Sequence, residues 1–496
     1  MSTIVPVQGD GDMWAGMETA AKAERPVRQL RRVGGPPAGD GGGPVKHRGQ
    51  LRMAERFITE HGDRLRFVHG IGWHQWDGCR WLEDKERVDL EAAVETVKSA
   101  LRELPDLHAE DRDELYKDAR KAESASGLEG MTKIASALRP ISTASAKLDA
   151  DPYLFNTPEG TVNLETGAVL DNDRADLITK VAGGPVGDEA DAEWEAFLLR
   201  ILPDEDVRAY VQRLFGYAML GKVTEHIMPI FTGTGANGKG TLRDALMAAF
   251  GDYAIEVDPA ILMESKHERH GAFKMRLRGA RLVFCSETEK GKRFAEATMK
   301  RLVGGDQIEA NLMHRNPIQF DPSHTLVMLT NHLPSVSGDD PAVWRRIAIV
   351  PFDVVIPEEE RDGHLPDRLK KAAPAVLSWV YDGWLDYQEK GGLCPPEAVR
   401  VKTEEYQASS DVLHRFLEDQ VIDNRHSTAP ARDVFAAWVK WCHQNGEQAN
   451  SEVEFAKSMA ARGYPKKKTR ANNVYVGLML ATTDEDDESE SGDPRF

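Results

Sequence analysis

An apolar run, Ile227–Phe231, leads into Gly233-Thr-Gly-Ala-Asn-Gly-Lys-Gly-Thr241, and Leu242, Ala245, Leu246 and Ala249 then recur at helical spacing up to Phe250. Strand, glycine-rich turn and helix in that order constrain the fold more than any other stretch of the chain. The backbone must curl tightly after the strand, which Gly233, Gly235 and Gly238 permit. Amide groups then face one point, where the helix N-terminus adds roughly half a positive charge and Lys239 a full one. The stretch Gly233, Thr234, Gly235, Ala236, Asn237, Gly238, Lys239, Gly240 and Thr241 is therefore expected to cradle nucleotide phosphates. Such loops usually place Ser or Thr directly after the Lys to hold Mg2+. Here that slot is Gly240, so Thr241 becomes the candidate hydroxyl.

Three later elements extend the pattern. Arg281–Cys285 is a compact apolar run that ends in Ser286-Glu287-Thr-Glu289, a buried strand delivering a carboxylate. Glu287 is the candidate to hold the Mg2+ shell or to orient an attacking water. Thr325–Thr330 is another apolar strand and ends in Asn331, whose amide suits a γ-phosphate or a lytic water. Trp344-Arg345-Arg346 then leads into the strand Ile347–Val350, and a planar guanidinium there suits transition-state charge across a subunit interface. Each has a plain alternative: a loop glutamate, a capping amide, a solvated arginine pair.

Taken together, GTGANGKGT, RLVFCSETE, MKRLVGGDQIEA, TLVMLTNHLP and WRRIAIVPF resemble, in that order, the superfamily 3 helicases of the phage and plasmid primase-helicase type, related to poxvirus-type nucleoside triphosphatases. NTPEGTVNLETG upstream and APAVLSWVYDGWLDYQEKGGL downstream are similar to the flanking regions of that family. The resemblance implies an α/β fold: an AAA+-like P-loop ATPase core with an α+β N-terminal domain and a C-terminal winged-helix domain. It implies a ring, expected to be a hexamer, that hydrolyses ATP with Mg2+ and moves on DNA. Lys239 would bind phosphates, Glu287 would be the Walker B acid, Asn331 the sensor, and Arg345 or Arg346 the arginine finger. Gly240 departs from the family pattern, as does Asn311, which stands where the family often carries Arg. Fewer than about 60 residues precede the first shared segment and no zinc motif is present, so priming by this chain is not expected.

The 496 residues suggest about three domains at roughly 100–200 residues each. Residues 1–50 are read as a disordered arm, since seven Gly and three Pro crowd Gly34–Gly49. An α+β domain of the primase-helicase type is expected over 51–190 and the ATPase core over 191–357. A helical extension over 358–410, a winged helix over 411–482 and an acidic disordered tail over 483–496 complete the division. No apolar run approaches the roughly 18 residues of a membrane span. The four cysteines form no CxxC pair, and the N-terminus shows no secretory pattern, so a cytoplasmic setting is expected.

A net charge of −18 argues at first against DNA. Its distribution argues otherwise. The last 13 residues carry a net −6, while Glu264–Arg301 holds eleven Lys/Arg against five Asp/Glu. Ile308–Met313 and Ile318–Phe320 read as a hairpin with a basic tip, where His314 and Arg315 are candidate DNA contacts. Ser451-x-x-Glu454 is a capping-box signature, and Lys466, Lys467, Lys468 and Arg470 then form a basic hairpin, the parts of a winged helix. Expected partners are DNA, further copies of the chain and a separate primase or polymerase. Two alternatives stay open: a DNA-stimulated initiator or loader without unwinding, and a P-loop nucleotide kinase.

Overall fold

The computed structural model describes residues 47–264, 271–286, 293–310, 317–336, 340–447, 449–469 and 472–481. Most of the arm expected over 1–50 and the tail expected over 483–496 lie outside these residues.

Helical spacing of apolar residues folds Gly49–His61 (α1), Val88–Glu103 (α2), Ala109–Ala122 (α3) and Ala125–Ala135 (α4) over one core that includes Met53, Phe57, Val97, Leu115 and Met131. The aromatic stretch between α1 and α2 gives Leu65–Val68 (β1), Gly72–Trp76 (β2) and Trp81–Glu83 (β3). With Ser142–Thr143 (β4) they form a sheet ordered β3-β2-β1-β4. The Asn- and Gly-punctuated stretch that follows is an antiparallel meander of Leu154–Thr157 (β5), Gly160–Asn163 (β6) and Val169–Leu170 (β7).

Ala192–Ile201 (α5) and Glu205–Tyr217 (α6) lead into the central sheet. Its strands are Met228–Thr232 (β8), Ala254–Val257 (β9), Leu282–Ser286 (β10), Thr325–Thr330 (β13) and Ile347–Pro351 (β14). A separate hairpin, Ile308–Ala310 (β11) and Ile318–Phe320 (β12), interrupts them. The order is β14-β8-β13-β10-β9 and every neighbouring pair is parallel. Strands β8, β10, β13 and β14 are apolar without alternation because both faces are covered. One face packs on Trp194, Tyr210, Leu246, Val376 and Trp384, the other on Leu262, Leu277, Phe294, Leu302 and Trp344. The helices between and after them are Lys239–Phe250 (α7), Gly271–Arg276 (α8), Glu296–Val303 (α9), Pro341–Trp344 (α10), Leu365–Lys371 (α11), Ala373–Lys390 (α12) and Glu397–Ser410 (α13).

Two contacts lock the N-terminal elements to this sheet. The guanidinium of Arg281, at the foot of β10, is fully buried and donates to the carbonyls of Pro152 (2.8 Å) and Leu154 (3.0 Å). It also lies 5.5 Å from the ring of Tyr253, whose hydroxyl accepts from the Asn156 amide at 3.0 Å. At a second point Ile318 of β12 packs onto an apolar cluster of Val68, Ile71 and Leu148. The fit is close, since a Cβ on Gly70 would stand 3.0 Å from Ile318 Cγ2.

The C-terminal residues build their own core from Phe416, Val434, Trp438, Phe455, Met459 and Tyr475. Its elements are Val412–Gln420 (α14), Val421–Pro430 (β15), Ala431–Gln444 (α15), Glu452–Ala461 (α16), Lys466–Lys468 (β16) and Asn473–Leu480 (β17). The sheet is antiparallel in the order β15-β17-β16. The expected capping box opens α16, with Ser451 Oγ accepting from the Glu454 amide at 3.3 Å and Glu454 Oε2 from the Ser451 amide at 3.2 Å. Among the described residues no helix is long and apolar enough to cross a membrane.

Candidate functional site

The loop between β8 and α7 is built from unusual backbone. Gly235, Ala236 and Gly238 have φ of 101°, 50° and 81°, the left-handed region that glycine enters freely. Gly238 is needed twice over, because a Cβ there would meet Ile201 Cγ2 of α5 at 2.4 Å. The curl turns Lys239 inward, leaving it 7% exposed. Its Nζ donates to Gly233 O at 3.2 Å and to Asn331 Oδ1 at 3.1 Å. Burial lowers its pKa to about 8. Among the described residues no carboxylate pairs with it. A buried cation whose partners are neutral oxygens suits an anion, and the loop amides around it suit phosphate.

Asn331 reaches this lysine because β13 lies directly beside β8. The turn carrying it is fixed by Thr330, whose Oγ1 accepts from the His332 amide at 3.0 Å and donates to His332 O at 2.7 Å. On the other side of β13, the tip of β10 is tied to α7: Arg243 donates to Ser286 Oγ at 3.1 Å and to Glu256 Oε1 at 2.9 Å. Glu287, the next residue, lies outside the described residues. Thr234, Ala236 and Gly240 are exposed, Asn237 is buried and Thr241 half-buried. A Cβ on Gly240 would meet nothing within 4 Å, so packing does not explain the missing hydroxyl there.

Arg345 and Arg346 are not brought to Lys239. Arg346 O accepts from Met228 N at 2.6 Å, at the start of β8, whereas the loop follows its end. Five strand residues, roughly 16 Å, separate the two places. Arg345 is exposed and has no side-chain partner among the described residues, while Arg346 donates to Ala342 O at 2.6 Å. The turn before them is held by Asp340, which caps the Ala342 amide at 2.8 Å and pairs with Lys300 at 2.7 Å.

His314, Arg315 and Asn311 lie outside the described residues, as does Arg470. At the base of the hairpin a cavity of about 350 Å³ is lined by Lys274, Arg301, Leu302, Gln307 and Ile308. Lys466, Lys467 and Lys468 are all exposed on β16, the edge strand of the C-terminal sheet. Lys466 pairs with Glu452 at 3.2 Å. Lysines on an edge strand also discourage sheet-to-sheet pairing, so their exposure alone does not identify a DNA surface. Sequence reasoning placed Asn237 among the residues cradling phosphate, whereas its side chain bonds Phe352 O, and it passed over Arg281 as the start of a strand. Only the folded positions of Phe352 and Pro152 reveal their partners.

A family model described as "D5 N terminal like" matches residues 54–203, and one described as a family of unknown function (DUF5906) matches 231–346. A "Putative helicase" of Acanthamoeba polyphaga mimivirus is 25% identical over 417 residues, covering 75% of this chain and 43% of that protein. A "Putative primase" of African swine fever virus is 23% identical over 332 residues, covering 60% and 34%. The chain thus spans less than half the length of either relative. The apo structure of the NrS-1 C-terminal region superposes with a TM-score of 0.50 at 13% identity, covering 88% of this chain and all of that one, which shows the fold. The chain thus carries a D5 N-terminal-like domain ahead of a parallel-sheet domain, and its relatives in large DNA viruses bear the names putative helicase and putative primase.

Proposed function

We propose that the chain is an ATP-dependent replicative DNA helicase of a phage or mobile element, of superfamily 3 type, that assembles as a ring. The observation that carries this reading is the meeting of Lys239 with Asn331 across the adjacent strands β8 and β13, at 3.1 Å. One cation and one strand-tip amide then face a single point, as recognition and sensing of a γ-phosphate require. Lys239 and the amides of Gly235–Gly238 would hold the phosphates. Thr241 and Glu287 would hold Mg2+, which supplies charge neutralisation between the phosphate oxygens.

The exposed Arg345 lies at the opposite end of β8 from its own loop, so its partner nucleotide would belong to a neighbouring copy. That arrangement supports a ring, read as a homohexamer, with sites at subunit interfaces. DNA would meet the hairpin tip at His314 and Arg315 and the basic edge of the C-terminal domain at Lys466, Lys467, Lys468 and Arg470. In this reading β11–β12 projects from the sheet domain and the C-terminal core is a winged helix.

Strand displacement on forked DNA, with Lys239→Ala as control, tests the proposal. Unwinding that requires ATP and Lys239 supports it. ATP hydrolysis stimulated by single-stranded DNA without unwinding points to a loader, and phosphoryl transfer to a nucleotide points to a kinase.

A further inference from the structure

Asn237 sits inside the glycine loop but faces away from the side on which phosphates would lie. It is 3% exposed, and its Nδ2 donates to Phe352 O at 3.1 Å. That carbonyl is rigidly placed. The Phe352 ring is fully buried against Phe231 of β8, with centroids 5.1 Å apart, and the Phe352 amide donates to Thr232 O at 2.8 Å. Four residues on, the Ile356 amide donates to Ala236 O at 2.8 Å. The segment after β14 therefore straps the loop on its outer side at Thr232, Ala236 and Asn237. Gly233 has no positive φ, and its reason for being glycine is this strap. A Cβ there would stand 2.2 Å from Asn237 Nδ2 and 2.3 Å from Phe352 O, in the path of the hydrogen bond.

Phe352 continues directly from β14, and Arg345 and Arg346 immediately precede that strand. We infer that Asn237 is a positioning residue: its amide ties the phosphate loop to the strand that carries Arg345, so that the loop's shape and the arginine's placement are set by one rigid element. The inference rests on the proposed nucleotide site and names no contact between the Asn237 side chain and nucleotide. A side chain that only filled space would tolerate an isosteric replacement. One that positions the loop needs its N–H, because an oxygen facing Phe352 O would repel it.

The test compares Asn237→Asp, which keeps the size, loses the donor and adds a charge, with Asn237→Leu, which loses the donor without a charge and must share the defect, and with Asn237→Ser, which keeps a shorter donor. The full chain is used, with steady-state ATP hydrolysis and binding of a fluorescent ADP analogue as readouts and thermal melting as the folding control. Asn237→Asp is expected to raise KM and the ADP Kd by about tenfold or more, the usual effect of losing a buried hydrogen bond, with a smaller change in kcat. Asn237→Ser should recover part of the loss. Wild-type KM in Asn237→Asp overturns the inference, as does a fall in kcat at unchanged KM. If Asn237→Asp melts with the wild type yet binds ADP like it, the strap does not shape the loop. A wild-type chain that binds no nucleotide sinks the functional reading itself, which is a different result.

Discussion

Lys239 Nζ and Asn331 Oδ1 lie 3.1 Å apart, so the charge that would meet a phosphate already rests on a neutral oxygen from the next strand. Exchanging the amide for a carboxylate would give the lysine a permanent counter-ion. Asn331→Asp is therefore expected to weaken nucleotide binding more than Asn331→Ala does, by about tenfold, since an ionised acceptor roughly doubles the strength of such a bond. Titration of both variants with a fluorescent nucleotide checks the order, and equal affinities would refute it.

The same lysine gives binding a pH signature. Burial has lowered its pKa to about 8, so its charged fraction falls as pH rises through that value. Anions bind the charged form. Nucleotide Kd should therefore rise between pH 7.5 and 9.5, steepening toward about tenfold per pH unit. In Lys239→Arg the guanidinium stays charged and the curve should be flat.

The hydroxyl for Mg2+ is the next point of attack. Thr241→Ala should reduce Mg2+-dependent hydrolysis by about 10-fold or more while leaving ADP binding without metal near wild type. A Cβ on Gly240 meets nothing within 4 Å, so Gly240→Ser can be added to that variant without a clash. Recovery of activity in the double variant would locate the metal-binding position. No loss in Thr241→Ala would remove Thr241 from the site.

Arg281 links the N-terminal elements to the sheet through two donated hydrogen bonds. Arg281→Ala removes the side-chain donor to Leu154 O and leaves Pro152 O with only the Gly221 amide, and a loss of about 2 kcal/mol is expected. Denaturant unfolding should show the midpoint move down. Arg281→Lys, which can still reach one carbonyl, should lie between.

His324 provides an acid-sensitive point in the core. It is 4% exposed, and burial lowers its pKa from the ordinary 6.5 to about 4. The unfolded chain takes up this proton near 6.5 and the folded chain only near 4. The stability that depends on a neutral ring is thus complete above 6.5 and disappears as pH falls toward 4, a span of about 3 kcal/mol. His324→Leu should flatten that part of the stability curve. An unchanged slope would show that other groups carry it.

Much of the fold was legible because its signals are local. Thr325–Thr330 was read to the residue, since six apolar or β-branched residues in a row, bounded by polar ones, allow little else. The glycine loop and the capping box at Ser451 were equally plain. Ala254–Val257 was passed over because four residues, one of them Glu256, carry no periodicity, and the strand exists through pairing with β10. Val421–Pro430 was passed over for a related reason: its polar run VIDNRHSTAP reads as a loop, and β17 makes it a strand. Within the site, Lys239 and Asn331 were each legible as phosphate-facing groups, and their meeting follows from the pairing of β8 with β13. The bond from Asn237 to Phe352 spans 115 positions and leaves no trace in either local sequence.

The packing of Ile318 against Val68, Ile71 and Leu148 limits how the β11–β12 hairpin can travel. Its second strand is glued by its base to the N-terminal sheet through apolar contact, and pulling it free would wet those side chains at roughly 25 cal/mol per Å² exposed. If the chain moves on DNA as proposed, a stroke of the hairpin would be shared: the D5-like domain would ride with the hairpin's root, and the lever would be longer than the hairpin itself.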